Sequence, residues 1–246
     1  MNDTGKLYVV GIGPGSYDQM TIKAVKALEE SQVIIGYTVY VDLIREHFPG
    51  KELMTTPMRQ EKDRCQMAID EAKKGKTVSM VCSGDSGIYG MSGLVLELAA
   101  EEKELEIEMI PGVTAACSGA SVLGAPLGHD FAVISLSDLL TPMVLIEDRL
   151  RRAATADLVI CLYNPSSKKR AGYLRRACEL MMESKKPETV CGVVRNIGRQ
   201  GEMMEVMTLN QLKDYEADMF TTVFVGNSMT KCINGKMVTP RGYRDV

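Results

Sequence analysis

The residues through which this chain could do chemistry sit where three apolar runs of its first half break into glycine. Leu7-Tyr8-Val9-Val10 runs into Gly11-Ile12-Gly13-Pro14-Gly15-Ser16. Val78-Ser79-Met80-Val81-Cys82 runs into Ser83-Gly84-Asp85-Ser86-Gly87-Ile88-Tyr89-Gly90. Ile107-Glu108-Met109-Ile110 runs into Pro111-Gly112-Val113-Thr114-Ala115-Ala116. A buried strand feeding a glycine loop and then a helix is how open α/β sheets build ligand crevices. Three such loops point to a small molecule held by main chain, with Ser83, Asp85 and Thr114 as polar side chains at hand. Asp85 reads equally well as the cap of an Asx-type turn between two glycines, and Thr114 as the N-cap of the next helix.

The first loop invites a dinucleotide reading and does not sustain it. A pyrophosphate-binding turn needs glycine at the first, third and sixth positions. Gly11 and Gly13 comply, but the sixth position is Ser16. Pro14 removes a backbone donor inside the turn and fixes its φ. No Gly-Lys-Ser/Thr follows, so the Walker pattern fails as well.

The elements that must carry these loops alternate. Short apolar runs near 7–11, 33–35, 78–82 and 107–110 are separated by stretches with helical periodicity, at 21–31, 61–74 and 91–101. In the first helix Ile22, Val25, Leu28 and Ala24 form the expected apolar face. This alternation predicts parallel pairing through right-handed crossovers. Beyond about Gly112 the pattern changes, with helices near 114–123, 142–155 and 169–184 and strands near 131–136, 157–163, 189–195, 203–208 and 219–226. The closing segments, joined by short turns, suggest antiparallel pairing. The expectation is two α/β domains, 1–112 and 113–246, the first sheet mainly parallel and the second mixed, with a cleft between them.

Composition narrows the classes. Of 246 residues, 45% are hydrophobic and 25% charged, as in ordinary globular proteins. No apolar stretch has the length of a membrane span and the N-terminus has no leader pattern, so a cytoplasmic protein without a membrane partner is expected. The net charge of −3 and the 5% aromatic content give no basic, aromatic-studded stripe for nucleic acid. Seven scattered cysteines form no Cys-x-x-Cys pair, and with only His47 and His129 present no resident metal is expected. The 17 methionines read chiefly as core filling.

The three loops, in this order, resemble those of the tetrapyrrole methyltransferase family, S-adenosylmethionine (SAM) enzymes that modify uroporphyrinogen and corrin precursors. Further matching stretches are Ile34-Ile35-Gly36-Tyr37-Thr38-Val39-Tyr40, Leu123-Gly124-Ala125-Pro126-Leu127-Gly128-His129-Asp130-Phe131, Ser135-Leu136-Ser137-Asp138-Leu139-Leu140-Thr141-Pro142, Leu162-Tyr163-Asn164-Pro165 and Val194-Arg195-Asn196. They cover the chain from Leu7 to about Tyr243 and are most similar to the branch that methylates a corrin precursor at C-17 and contracts its ring. The resemblance implies SAM, or its product S-adenosylhomocysteine, in the cleft. It places Pro14, Ser83, Gly84, Asp85, Ile88, Thr114, Ala115, Tyr163, Asn196 and Ile197 at cofactor-contacting positions. It also implies a tetrapyrrole substrate and a homodimer. Methylation at another position, such as C-11, an RNA- or protein-modifying activity on the same scaffold, and a ligand-binding module without chemistry remain as alternatives.

One departure bears on mechanism. Where the uroporphyrinogen branch has an aspartate proposed for proton handling, this chain has Tyr37 after Gly36. Ring contraction moves a proton, and His129 is the other residue suited to accept it; its competing role is to cap the strand at Phe131. Ser137 and Asp138, with Thr141, form a polar loop that could meet substrate acid groups. Basic residues gather at Lys168-Lys169-Arg170, Arg175-Arg176, Arg195 and Arg199. The 168–176 group reads mainly as a solvated helix face. Arg195 and Arg199 are the expected partners for substrate carboxylates.

Overall fold

The structure, a computed structural model, describes residues 5–166 and 172–243. The chain divides into two compact units, Met1–Ala115 and Ala116–Val246.

The first unit is built on β1 (Lys6–Gly11), β2 (Val33–Tyr37), β3 (Glu52–Thr56), β4 (Thr77–Cys82) and β5 (Glu106–Ile110). Their order across the sheet is β3-β2-β4-β1-β5, and every neighbouring pair is parallel. Parallel strands need crossovers, supplied by α1 (Ile22–Glu30), α2 (Thr38–Ile44), α3 (Glu61–Lys73) and α4 (Ser92–Leu98). Strand residues alternate between two cores, so both faces of the sheet are covered. Leu7, Val9, Val33, Ile35, Val78 and Met80 pack with Cys65, Ala68, Ile69 and Ala72 of α3 and Val95 of α4. Tyr8, Val10, Ile34 and Val81 pack with Ala24, Ala27 and Leu28 of α1 and Val41 and Ile44 of α2.

The expected α1 face needs one correction. Ile22 is 76% exposed, while Ala27 takes its place in the core. Ile22 lies across the helical wheel from Ala24 and Leu28, so it cannot share their face. β3 and α2 were not foreseen. β3 is an edge strand of sequence Glu-Leu-Met-Thr-Thr whose buried residue is Thr56, so it carries no apolar run.

The second unit opens with α5 (Ala115–Leu123) and β6 (Gly124–Ala125). There follow β7 (Phe131–Ser135), α6 (Met143–Thr155), β8 (Val159–Tyr163), α7 (Tyr173–Met181), β9 (Val190–Arg195), β10 (Met203–Thr208), α8 (Leu209–Leu212) and β11 (Thr221–Val225). The main sheet runs β10-β9-β11-β8-β7, parallel between β7 and β8 and antiparallel elsewhere. α6, α7 and α8 cover one face through Ile146, Leu150, Leu174, Ala177, Leu209 and Leu212. α5 contributes to a second contact surface at glycine, because a Cβ on Gly119 would lie 2.9 Å from the Phe224 ring and 3.0 Å from Ile197. A small third sheet, β12 (Lys231–Ile233), β13 (Lys236–Val238) and β6, closes the unit. It escaped the sequence reading because its strands are only two or three residues long.

Candidate functional site

In the first sheet β1 and β4 are neighbours, but their chains leave in opposite directions. The connection after β1 passes through α1 to β2, and that after β4 passes through α4 to β5, with the two helices in different cores. Such a switch point, outside the carboxyl ends of the strands, is where open α/β sheets bind ligands. The first and second glycine loops begin at this point.

The loops interlock through main chain. Gly13 and Gly84 exchange two hydrogen bonds, Gly13 N to Gly84 O at 3.1 Å and Gly84 N to Gly13 O at 2.7 Å. Both have positive φ, 73° and 69°, which only glycine adopts freely. A Cβ on Gly11 would stand 2.7 Å from both Gly112 N and Gly84 O. A Cβ on Gly112 would overlap the Gly84 carbonyl oxygen. The three loops therefore meet at a point where no side chain fits.

Asp85 fastens the second loop to the third. Its Oδ1 accepts from the Gly87 and Ile88 amides at 2.8 and 3.2 Å, and its Oδ2 accepts from the Gly112 amide at 3.0 Å. The Asx turn expected as one reading of this residue is thus present. Ser86 Oγ donates to Ile110 O at 3.2 Å. Pro14, Gly84 and Thr114 are buried, Ser83 and Ala115 half-buried, and Ile88 is exposed. Among the described residues two buried polar atoms, Gln19 Oε1 and Ser92 Oγ, find no protein partner, and they follow the first and second loops in sequence.

Further along the same edge, β2 ends at Tyr37 and β3 at Thr56, which are register partners. Arg64, from α3, reaches this corner. Its Nε donates to Thr56 Oγ1 at 2.9 Å and its Nη2 to Pro57 O at 3.2 Å. The guanidinium lies 5.9 Å from the centre of the Tyr37 ring, which also packs edge-on against Tyr40 at 5.1 Å. Sequence reasoning picked out Tyr37 and missed Arg64, which sits in an ordinary charged stretch of helix.

In the second unit, the Tyr163 hydroxyl accepts from the Ala116 amide at 2.6 Å, satisfying one of the open N–H groups at the start of α5. Asn164 has φ 52° and donates through Nδ2 to Ser135 Oγ at 2.9 Å. The Ser137 amide donates to that same hydroxyl at 3.2 Å, and Asp138 accepts from the Tyr173 hydroxyl at 2.7 Å. These contacts join Ser135, Ser137 and Asn164 at the carboxyl ends of β7 and β8. Asn196 has φ 54° and donates to Gly201 O at 3.4 Å, while Ile197 is buried beside Gly119.

The basic residues are placed as follows. Arg195 pairs with Asp218 at 2.7 Å, and Arg199 stacks over Phe220 at 5.6 Å. Arg175 pairs with Asp214 at 2.6 Å and Arg176 with Glu147 at 3.0 Å. Lys168-Lys169-Arg170 lie outside the described residues. His129 is half exposed, and its Nδ1 accepts from the amide of the adjacent Asp130 at 3.0 Å, just before β7. The Asp130 carboxylate is 3.7 Å from the same nitrogen.

Among the described residues no cluster of three His, Cys, Asp or Glu could hold a metal ion, and no helix is long and apolar enough to cross a membrane. Five of the seven cysteines are buried, and burial pushes the thiols of Cys65 and Cys161 up to about 12. Such thiols are packing groups and not nucleophiles.

A parallel sheet with a glycine-built switch point, joined to a mixed α/β unit, is the architecture of a known methylase class. Residues 6–213 match the family of tetrapyrrole (corrin/porphyrin) methylases, and the chain belongs to that family. It is 48% identical to the probable cobalt-factor III C(17)-methyltransferase of Salmonella typhimurium, over 96% of this chain and 99% of that protein. It is 42% identical to the precorrin-3B C(17)-methyltransferase of a Sinorhizobium species, over 98% of each chain. It is also 49% identical to the cobalamin biosynthesis protein CbiHC of Archaeoglobus fulgidus, of which it spans 53%. The fold matches the crystal structure of the methyltransferase CobJ with a TM-score of 0.90 at 37% identity, covering 96% of this chain and 100% of that one.

Proposed function

We propose that this chain transfers a methyl group from SAM to C-17 of a ring-contracting corrin precursor, cobalt-factor III or precorrin-3B. The observation that carries the reading is the junction of three glycine loops at the switch point, in a chain whose full-length relatives bear the names of C-17 methyltransferases.

The loops suit that cofactor. SAM supplies a methyl group already activated by its sulfonium charge, so the protein needs no nucleophile of its own. It has to hold the cofactor and the attacking carbon in line, and such alignment can lower a barrier by several kcal/mol. Main chain bared of side chains at Gly13 and Gly84 lets a ligand approach closely, and the cofactor contacts we infer in the first unit are Pro14, Ser83, Gly84, Asp85, Ile88, Thr114 and Ala115. Gln19 Oε1 and Ser92 Oγ are acceptors for ligand N–H or O–H groups. In the second unit Tyr163, Asn196 and Ile197 are the inferred cofactor contacts, and Ser137, Asp138, Arg195 and Arg199 the inferred substrate contacts, with Ser137 and the two arginines as the donors to its acid groups. The product carries one methyl group more and has lost one atom from its macrocycle, so a proton must be managed. His129 and Tyr37 are the two candidates for that task.

Incubating the protein with labelled SAM and either substrate, followed by product NMR, tests the reading. A product methylated at C-17 with a contracted ring is expected. Methylation at another carbon would make this an enzyme of different regiochemistry, and SAM binding without transfer would make it a carrier. In the same assay His129→Ala should keep SAM affinity and lose turnover by about 10²–10⁴-fold if it moves the proton. Unchanged turnover would leave His129 as the cap of β7 and assign the proton to Tyr37 or to a substrate carboxylate.

A further inference from the structure

Three charged side chains are buried among the described residues: Arg64, Glu71 and Lys185. Glu71 lies against Lys74 and Lys76, and Lys185 against Asp157. Arg64 is 5% exposed and has no carboxylate within ion-pairing distance. A buried charge without a counter-charge is costly, and removing it to an apolar residue is often neutral or better. A protein that keeps one gains where a ligand brings the opposite charge.

The hydrogen bonds of Arg64 indicate how that ligand would be met. Thr56 Oγ1 takes Nε, and Pro57 O takes one hydrogen of Nη2. Nη1 and the second hydrogen of Nη2 donate to no described residue. Those are the end-on donors with which a guanidinium grips a carboxylate in a fork. The Tyr37 ring lies against the guanidinium, and its hydroxyl bonds to no described residue. The corner stands at the carboxyl ends of β2 and β3, on the sheet edge that carries the glycine loops of β1 and β4.

We propose that Arg64, backed by Tyr37, is a carboxylate-binding corner that receives one acid arm of the tetrapyrrole substrate. This rests on the function proposed above. The corner binds the substrate and leaves the cofactor alone, because the loop contacts of Asp85 and of the glycines do not involve Arg64. It also fixes one point on the rim of the macrocycle, and so contributes to which carbon faces the methyl group.

The test uses wild type, Arg64→Gln and Arg64→Lys. Each is titrated with cobalt-factor III in the presence of S-adenosylhomocysteine, following the corrinoid absorbance, and separately with S-adenosylhomocysteine by calorimetry. Arg64→Gln should bind cobalt-factor III about 10–100-fold more weakly, the range of a lost charge-assisted pair, with unchanged nucleoside affinity. Arg64→Lys keeps the charge but not the fork, and should fall between the two. Turnover should show the loss in KM more than in kcat. Equal cobalt-factor III affinity in wild type and a folded Arg64→Gln overturns the inference; should that variant not fold, equal affinity in Arg64→Lys does so. A wild-type protein that binds S-adenosylhomocysteine but no tetrapyrrole overturns the proposed function instead.

Discussion

Asp85 holds the second and third glycine loops in one geometry through three backbone amides. In the cofactor site proposed above it would act through loop shape as well as through direct charge. Asp85→Asn swaps one carboxylate oxygen for an N–H donor facing another donor. The variant should unfold about 1–3 kcal/mol more easily in urea and bind SAM more weakly in parallel. Weaker SAM binding with unchanged stability would assign the residue to direct contact alone. At this scale the sequence was readable where short-range chemistry decides. An aspartate between glycines took up the Asx-turn contacts its position suggests. Arg64 was not readable, because its meaning depends on Thr56 and Tyr37, brought to it by strand pairing and not by proximity in the chain.

Elements are pinned to one another by buried polar contacts as well as by apolar packing. Lys185, four residues beyond α7, donates to Leu158 O before β8 and to Gly226 O after β11, both at 3.0 Å. It also lies 3.5 Å from Asp157, whose carboxylate accepts from the Ser228 amide and hydroxyl. Burial pushes the Lys185 ammonium below its ordinary value, against the pull of Asp157. Replacing Lys185 with Met should cost about 2–4 kcal/mol of unfolding free energy, since two buried carbonyls lose their donor. Burial pushes the Asp157 carboxyl up, but the two Ser228 bonds and Lys185 outweigh it and hold it below the usual range. Its folded value is thus lower than its unfolded one. Its contribution is complete above about pH 4 and is lost as pH falls through the folded value. Asp157→Asn should flatten that acid limb of the urea-midpoint profile and lower the plateau at pH 7; an unchanged acid limb would remove Asp157 from the account. The strands flanking this lock were foreseen because β8 and β11 are apolar runs. β3, β6, β12 and β13 were not, since edge and two- or three-residue strands take their stability from partners and leave little pattern of their own.

For the whole molecule the expected observable is linkage. A ligand that binds the folded chain at a hundredfold excess over its Kd adds about 2.7 kcal/mol of stability. For a chain of this size S-adenosylhomocysteine should therefore raise Tm by about 5–10 °C in scanning calorimetry. NAD at the same concentration should leave Tm unchanged, and the reverse result would reinstate the dinucleotide reading of the first loop. The class of fold was legible because alternation of strand and helix is a property of the entire chain. The third sheet has another consequence, which concerns the order of synthesis. Every strand of the first sheet has been made once Ile110 leaves the ribosome, so that unit can finish its sheet early. β6, at Gly124–Ala125, must wait for β13, at Lys236–Val238. At ordinary translation rates that wait is about 5–20 s, during which the edge of β6 stands open. A nascent chain halted before Lys236 would expose this unpaired edge together with Leu123, whose neighbour Met237 has not yet been made, and would present itself to chaperones and proteases as an unfinished product.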